Sequence, residues 1–178
     1  MRPVLSIALV IALLPCLGYC QYGGIRAGVL DPERFDMTFT YGGFGVYRLT
    51  RYLEVEVGID YWSKSKDDSY WETSWETSTS DLSVCAYTKY LAPFKGEELI
   101  AAFGAGFGAH FVTERDLRME QGQVIWDEKA SNTRPGMHFF IEGGAPLSST
   151  FKISTRFRIS GVPEYFRVDL TTGLAFRP

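Results

Sequence analysis

Beyond its first twenty residues the sequence has one cysteine, Cys85, and two histidines, His110 and His138. A single thiol excludes an intrachain disulfide, although the start of the chain reads as an export signal. There is no block of lysine or arginine, and the small excess of acid argues against nucleic acid as a partner. No later apolar run reaches the roughly 20 residues that a membrane-spanning helix needs. Little of the chain carries a helical period. What is plentiful is aromatic side chains, 15% of the residues, and glycine, at 18 positions.

The export signal is expected over residues 1–20. Arg2 supplies the positive end, Val4 to Leu14 form a short apolar run, and Pro15 breaks it. Gly18 and Cys20 set small residues at the −3 and −1 positions for cleavage before Gln21. Neither Cys16 nor Cys20 sits in a convincing lipoprotein box, because Pro15 and Tyr19 are poor preceding residues. Removal of this segment leaves 17 Lys+Arg against 21 Asp+Glu, a net charge of −4, on one domain at 21–178. Export without a helical anchor leaves a soluble secreted protein, a periplasmic one, or a β-barrel in an outer membrane.

The stretch Leu99 to Val112 selects among these. Alternate residues give one face of Leu99, Ala101, Phe103, Ala105, Phe107, Ala109 and Phe111. The other face holds Ile100, Ala102, Gly104, Gly106, Gly108, His110 and Val112. A period of two marks a strand. A helix would lose about 1 kcal/mol at each of the three glycines relative to alanine. The same alternation recurs seven more times: Gly24–Leu30, Met37–Leu49, Leu53–Trp62, Leu82–Tyr90, Gly136–Gly144, Phe151–Ile159 and Phe166–Phe176. Asp31-Pro32 signals a turn. Residues 64–80 and 114–133 are long and polar and read as loops, whereas the other connections are short. An even number of strands with alternating loop lengths predicts an all-β, eight-stranded, antiparallel up-and-down transmembrane β-barrel.

Three features turn the apolar face outward. The phenylalanines at 103, 107, 111, 139, 151, 157, 166 and 176 are too bulky for an eight-stranded interior, which holds little more than its own side chains. Glycines 28, 42, 58, 104, 106, 108, 144 and 173 occupy the polar faces, where crowding demands small residues. Aromatics such as Tyr41, Tyr47, Tyr61, Tyr90, Phe151, Phe166 and Phe176 fall near strand ends, as in an interfacial girdle. The inward charges then balance: Arg26, Arg48, Lys89, Lys152, Arg156, Arg158 and Arg167 meet Glu54, Glu56, Asp60, Glu142 and Asp169. The turns place Arg48 opposite Glu54 and Arg156 near Asp169. Buried charges need partners, so the expectation is a polar, plugged lumen stitched by ion pairs.

The alternating faces, the run Gly45-Val46-Tyr47-Arg48-Leu49-Thr50 leading into a turn, and Leu174-Ala175-Phe176 near the end resemble small bacterial outer-membrane barrels of the OmpA, OmpX and OmpW type. The resemblance covers residues 22–178. It departs from the pattern in adding Arg177-Pro178 after the aromatic residue that resembles the assembly signal. No periplasmic extension is expected. The resemblance implies outer-membrane lipid and the barrel-assembly machinery as partners, and an OmpW-like alternative: a narrow conduit for small apolar molecules past Phe44, Val46, Tyr87 and Phe140.

Few residues suggest chemistry. Gly104-x-Gly106-x-Gly108 lies within a strand and so cannot be a phosphate loop, which must open a helix. His110 and His138 face inward on adjacent strands, with Glu142 lower on the same face. A metal site there is conceivable, but two histidines are too few to define one, and hydrogen bonding within the lumen is the simpler account. No serine stands at a usable same-face spacing from either histidine, so no enzyme and no cofactor are expected. Trp71 and Trp75 sit in the 64–80 stretch, and with 114–133 they offer a candidate surface for an extracellular partner. The expected role is structural or surface-interacting, with the conduit and a soluble ligand carrier as alternatives.

Overall fold

The computed structural model describes residues 21–32, 36–70, 73–92 and 99–177. The expected export signal, the turn after Ala92 and Trp71 lie outside them. Eight strands follow in chain order: β1 (Tyr22–Pro32), β2 (Thr38–Arg48), β3 (Leu53–Tyr70), β4 (Thr73–Leu91), β5 (Ile100–Glu120), β6 (Gln123–Pro146), β7 (Phe151–Val162) and β8 (Tyr165–Phe176). Each pairs antiparallel with its sequence neighbours, and β1 pairs with β8 from Gly23↔Phe176 to Pro32↔Arg167, closing the barrel. Closure leaves no edge around the ring.

The alternation in sequence becomes an inside and an outside. Phe39 is 77% exposed and Phe107 69%, while Val46 and His138 are fully buried. A wall with so many exposed Phe, Ile and Leu side chains suits hydrocarbon, and a charged interior is the reverse of a soluble carrier's. No helix among the described residues is long and apolar enough to cross a membrane.

Three expectations change. The stretches 64–80 and 114–133 are not loops. Ser63 to Tyr70 pairs residue by residue with Thr73 to Ser80, and Thr113 to Glu120 with Gln123 to Ser131. These Thr-, Ser- and Trp-containing runs extend the ladders of β3–β6 into two long hairpins, which also pair with each other from Thr73↔Glu120 down. The second of those hairpins turns at Gln121-Gly122, where both residues have positive φ, 50° and 78°. That is the backbone of a type I′ turn, which matches the twist of the flanking strands. A bulge beside Arg118/Met119 brings Val124, Ile125 and Trp126 to the exposed tip of β6. Lastly, Asp31-Pro32 ends β1 rather than turning. Pairing with β2 has already stopped at Leu30↔Thr38, so the proline sits at a strand end that tolerates it.

Candidate functional site

The lumen is a stack of charged layers. At the bottom, Arg48 meets Glu54 at 2.8 Å, Tyr22 donates its hydroxyl to the same carboxylate, and Lys89 lies 3.9 Å from it. Above, Lys89 also contacts Glu56 at 3.0 Å and Glu142 at 3.3 Å, with Lys152 at 3.9 Å from Glu142. Arg26 donates to Glu56 and Asp60, each at 2.7 Å. Arg156 donates to both Glu56 and Glu142, and Arg158 to Asp60 and Asp169.

Several of these pairs cross the barrel. In a ring of eight strands, β3 and β7 are diametrically opposite, as are β4 and β8. Arg156–Glu56, Arg158–Asp60 and Arg167–Asp81 each span that full width at 2.6–2.7 Å. Six buried cations (Arg26, Lys89, Arg134, Arg156, Arg158, Arg167) and six buried anions (Glu54, Glu56, Asp60, Asp81, Glu142, Asp169) are each in at least one pair. The aromatics belong to the same packing. Arg156 stacks 4.1 Å from the Phe140 ring centroid and Arg26 5.4 Å from that of Phe44.

The upper layer differs in kind. His110 donates its Nδ1 proton to Asp81 at 2.7 Å, and Asp81 also accepts from Arg167 at 2.7 Å and Tyr165 at 2.9 Å. His138 Nδ1 meets the Ser160 hydroxyl at 2.8 Å. The two Nε2 atoms face each other at 3.3 Å, and Cys85 Sγ lies 3.4 Å from that of His138. Asp81, Cys85, His110, His138, Ser160 and Arg167 are all buried, and Tyr165 is half-buried. This layer also holds spare polar capacity: Asp81 Oδ1, Arg167 Nε and Arg167 Nη2 are buried without hydrogen-bond partners. Above it Arg134 pairs with Glu164 at 2.7 Å.

Two sequence expectations are corrected here. Asp169 pairs with Arg158, not Arg156, because the register across β7–β8 sets Arg158↔Asp169 and Arg156↔Thr171. The turn, Pro163-Glu164 between paired Val162 and Tyr165, is two residues shorter than the turn over Gly161–Glu164 that the sequence suggests. A serine does reach a histidine: Ser160 comes from β7, the strand next to His138, and no spacing within one strand reveals it. Glu142, in turn, is separated from His138 by the intervening Phe140 and bonds to Lys89 and Arg156 instead.

Asp81, Cys85, Ser160 and Tyr165 were absent from the sequence-derived site. Asp81 and Cys85 do share the inward parity of Ser83 and Tyr87 on β4, which was the available signal. Above the ring, Trp75, Arg118 and Trp126 fall in one row across β4, β5 and β6. The Arg118 guanidinium sits 4.4 Å from the Trp75 ring centroid. Trp75 was a candidate from sequence; Trp126 was not, and it is the more exposed of the two, at 56%.

On the outer face of the same hairpin, Arg115 donates to both carboxylate oxygens of Asp127 at 2.8 Å. That bond holds Asp127 below the usual carboxylate range and raises Arg115 above its own.

A closed, antiparallel, eight-stranded barrel with an apolar outer wall and a charged interior is the fold of small outer-membrane barrels, and solved members share it with this chain. Neisserial surface protein A matches with a TM-score of 0.63 and 14% identity, over 88% of this chain and 96% of that one. The attachment invasion locus protein of Yersinia pestis matches at 0.57 and 10%, over 88% and 98%. That second protein has also been solved with the heparin analogue sucrose octasulfate, at 0.56 and 10%. No protein-family model and no curated protein sequence matches the chain.

Proposed function

We propose that the chain is an integral outer-membrane protein, exported by residues 1–20, whose lumen is closed and whose role is structural or surface-interacting rather than catalytic. The observation that carries this reading is the set of ion pairs drawn across the full width of the barrel. A passage through them would have to part Arg156 from Glu56, Arg158 from Asp60 and Arg167 from Asp81, all buried. Separating buried pairs strands charges at a cost of about 3–5 kcal/mol each. Phe44, Val46, Tyr87 and Phe140, which a conduit would present to its passenger, are buried in this packing.

Against catalysis stands the burial of the Ser160–His138 contact. Ser160 and His138 are both fully enclosed, so a substrate has no approach to the hydroxyl. The surface contribution falls to the projecting β3–β6 sheet, with Trp75 and Trp126 exposed on it. A polyanion of the heparin type does not suit it, because the two hairpins interleave Lys64, Lys66, Arg115 and Arg118 with Asp67, Asp68, Glu76, Asp116 and Asp127. A protein surface in the extracellular space fits this mixed and aromatic face better.

Single-channel recording tests the closed lumen. The purified barrel in planar bilayers should give no conductance above a protein-free membrane. Discrete openings, or uptake of an apolar tracer into vesicles, would favour the conduit instead.

A further inference from the structure

From the upper layer of the lumen we infer a binding site for a single d10 transition-metal ion, Zn²⁺ or Cu⁺, held by Cys85 Sγ, His110 Nε2 and His138 Nε2. The three atoms come from neighbouring strands β4, β5 and β6 and lie within 4.8 Å of one another, all buried.

Their spacing is that of a coordination shell. With metal–nitrogen bonds of about 2.0–2.1 Å and a metal–sulfur bond of about 2.3 Å, tetrahedral ligands sit about 3.3 Å apart for two nitrogens and about 3.6 Å for nitrogen and sulfur. The observed separations are 3.3 Å between the Nε2 atoms and 3.4 Å from Cys85 Sγ to His138. The third edge, Cys85 to His110, is within 4.8 Å.

The groups behind the ligands are those of a metal centre. A ligating histidine presents one nitrogen to the ion and anchors the other on a carboxylate or another oxygen. His110 anchors Nδ1 on Asp81, which fixes the tautomer with the Nε2 lone pair directed at the other two ligands. His138 anchors Nδ1 on Ser160, whose hydroxyl can accept as readily as donate. Binding needs His138 to carry its proton on Nδ1 and Cys85 to lose its own, after which the thiolate and the Asp81 carboxylate offset a divalent charge. Arg158 near the layer keeps its own partners in Asp60 and Asp169.

Space is kept open around the ligand atoms by the backbone. A Cβ at Gly108 would lie 2.4 Å from Cys85 Sγ and 2.9 Å from His138 Nε2, and one at Gly136 would lie 2.5 Å from His110 Nε2. Gly108 and Gly136 are paired directly across β5 and β6. Two facing glycines thus clear the ground where these three donors converge. A soft thiolate with two imidazoles selects Zn²⁺ or Cu⁺ over Mg²⁺ and Ca²⁺, which prefer oxygen.

The test refolds the full chain in detergent with excess Zn²⁺ present throughout, so that a closed lumen does not bar the ion, then removes loose metal and counts what remains. One ion per folded chain is expected. Cys85→Ser and His138→Gln should each weaken binding at least about 100-fold, and Ser160→Ala, which removes only an anchor, about 10-fold. With Co²⁺ in place of Zn²⁺ the wild type should show a thiolate-to-metal charge-transfer band that Cys85→Ser lacks. Folding of every variant is read from its mobility shift on heating. A folded wild type that retains neither Zn²⁺ nor Cu⁺ overturns the site. Retention unchanged by both ligand substitutions, with no charge-transfer band, overturns it equally.

Discussion

Arg156 on β7 reaches across the barrel and grips Glu56 on β3 with two parallel bonds, Nη1 to Oε1 at 2.7 Å and Nη2 to Oε2 at 2.6 Å. The two residues are 100 positions apart in sequence and on opposite walls. Glu56 also receives Arg26 and Lys89, so one carboxylate is shared by three cations. Glu56→Gln should therefore destabilise the barrel by about 3–5 kcal/mol, the range for stranding buried charge. Equilibrium unfolding in urea from lipid vesicles would measure it. An unchanged midpoint would mean that water already reaches these groups.

Gly106 gives a test of the crowded interior that needs no charge. A Cβ there would lie 2.2 Å from the Ala86 carbonyl oxygen and 2.6 Å from the Tyr87 ring, whereas a Cβ at Gly143 meets nothing within 4 Å. Backbone cannot step aside, so Gly106→Ala should cost about 1–3 kcal/mol as an overpacking change. Gly143→Ala should be close to neutral. Gly106→Arg should prevent assembly, seen as loss of the heat-dependent mobility shift.

The outer wall predicts the opposite sensitivity. Phe107 is 69% exposed on the apolar face. Phe107→Leu should leave stability within the error of unfolding measurements, because hydrocarbon accepts either side chain. Phe107→Arg should lose about 2–4 kcal/mol if the residue lies at the bilayer midplane and less nearer an interface. If Gly106→Arg and Phe107→Leu behave alike, inside and outside are exchanged.

The exposed Arg115–Asp127 pair carries a pH dependence of known sign. The hydrogen bond from Arg115 depresses the Asp127 carboxyl. Its contribution to the hairpin is complete above the ordinary aspartate range and disappears as pH falls through the lowered value. In Arg115→Gln the Asp127 carboxyl resonance, followed by NMR, should titrate at higher pH than in the wild type. Because the pair is exposed, added salt should narrow the difference.

The architecture was legible because an alternation with period two survives in every strand, from Leu53-Glu54-Val55-Glu56 to Phe166-Arg167-Val168-Asp169. Even the outward-facing side could be read, from the volume of the phenylalanines and the placing of the glycines. The projecting hairpins were not legible. Polar strands such as Ser63 to Tyr70 lack the apolar half of the pattern, and only pairing with a neighbour shows that they are strands. Partner identity across strands was lost for the same kind of reason. Two residues of difference in the length of the β7–β8 turn move Asp169 from Arg156 to Arg158, and nothing local to either strand records it. The histidine layer is assembled from β4, β5, β6 and β7, so Asp81, Cys85 and Ser160 acquire their neighbours only on closure. The glycines were legible as space, but their occupants were not. Gly104 and Gly106 accommodate the rings of Phe140 and Tyr87, and Gly108 the ligand atoms of Cys85 and His138.

The projecting sheet has one further consequence. Only β3 to β6 rise past the ring, and from Gln123 to Pro135 β6 alone adds about 40 Å of strand at 3.4 Å per residue. The mouth is consequently fenced on one side and low on the other, where β1, β2, β7 and β8 stop short. A symmetric rim would look the same from every approach in the plane of the membrane. This one has a front and a back, so whatever docks on it is given a compass bearing as well as a height.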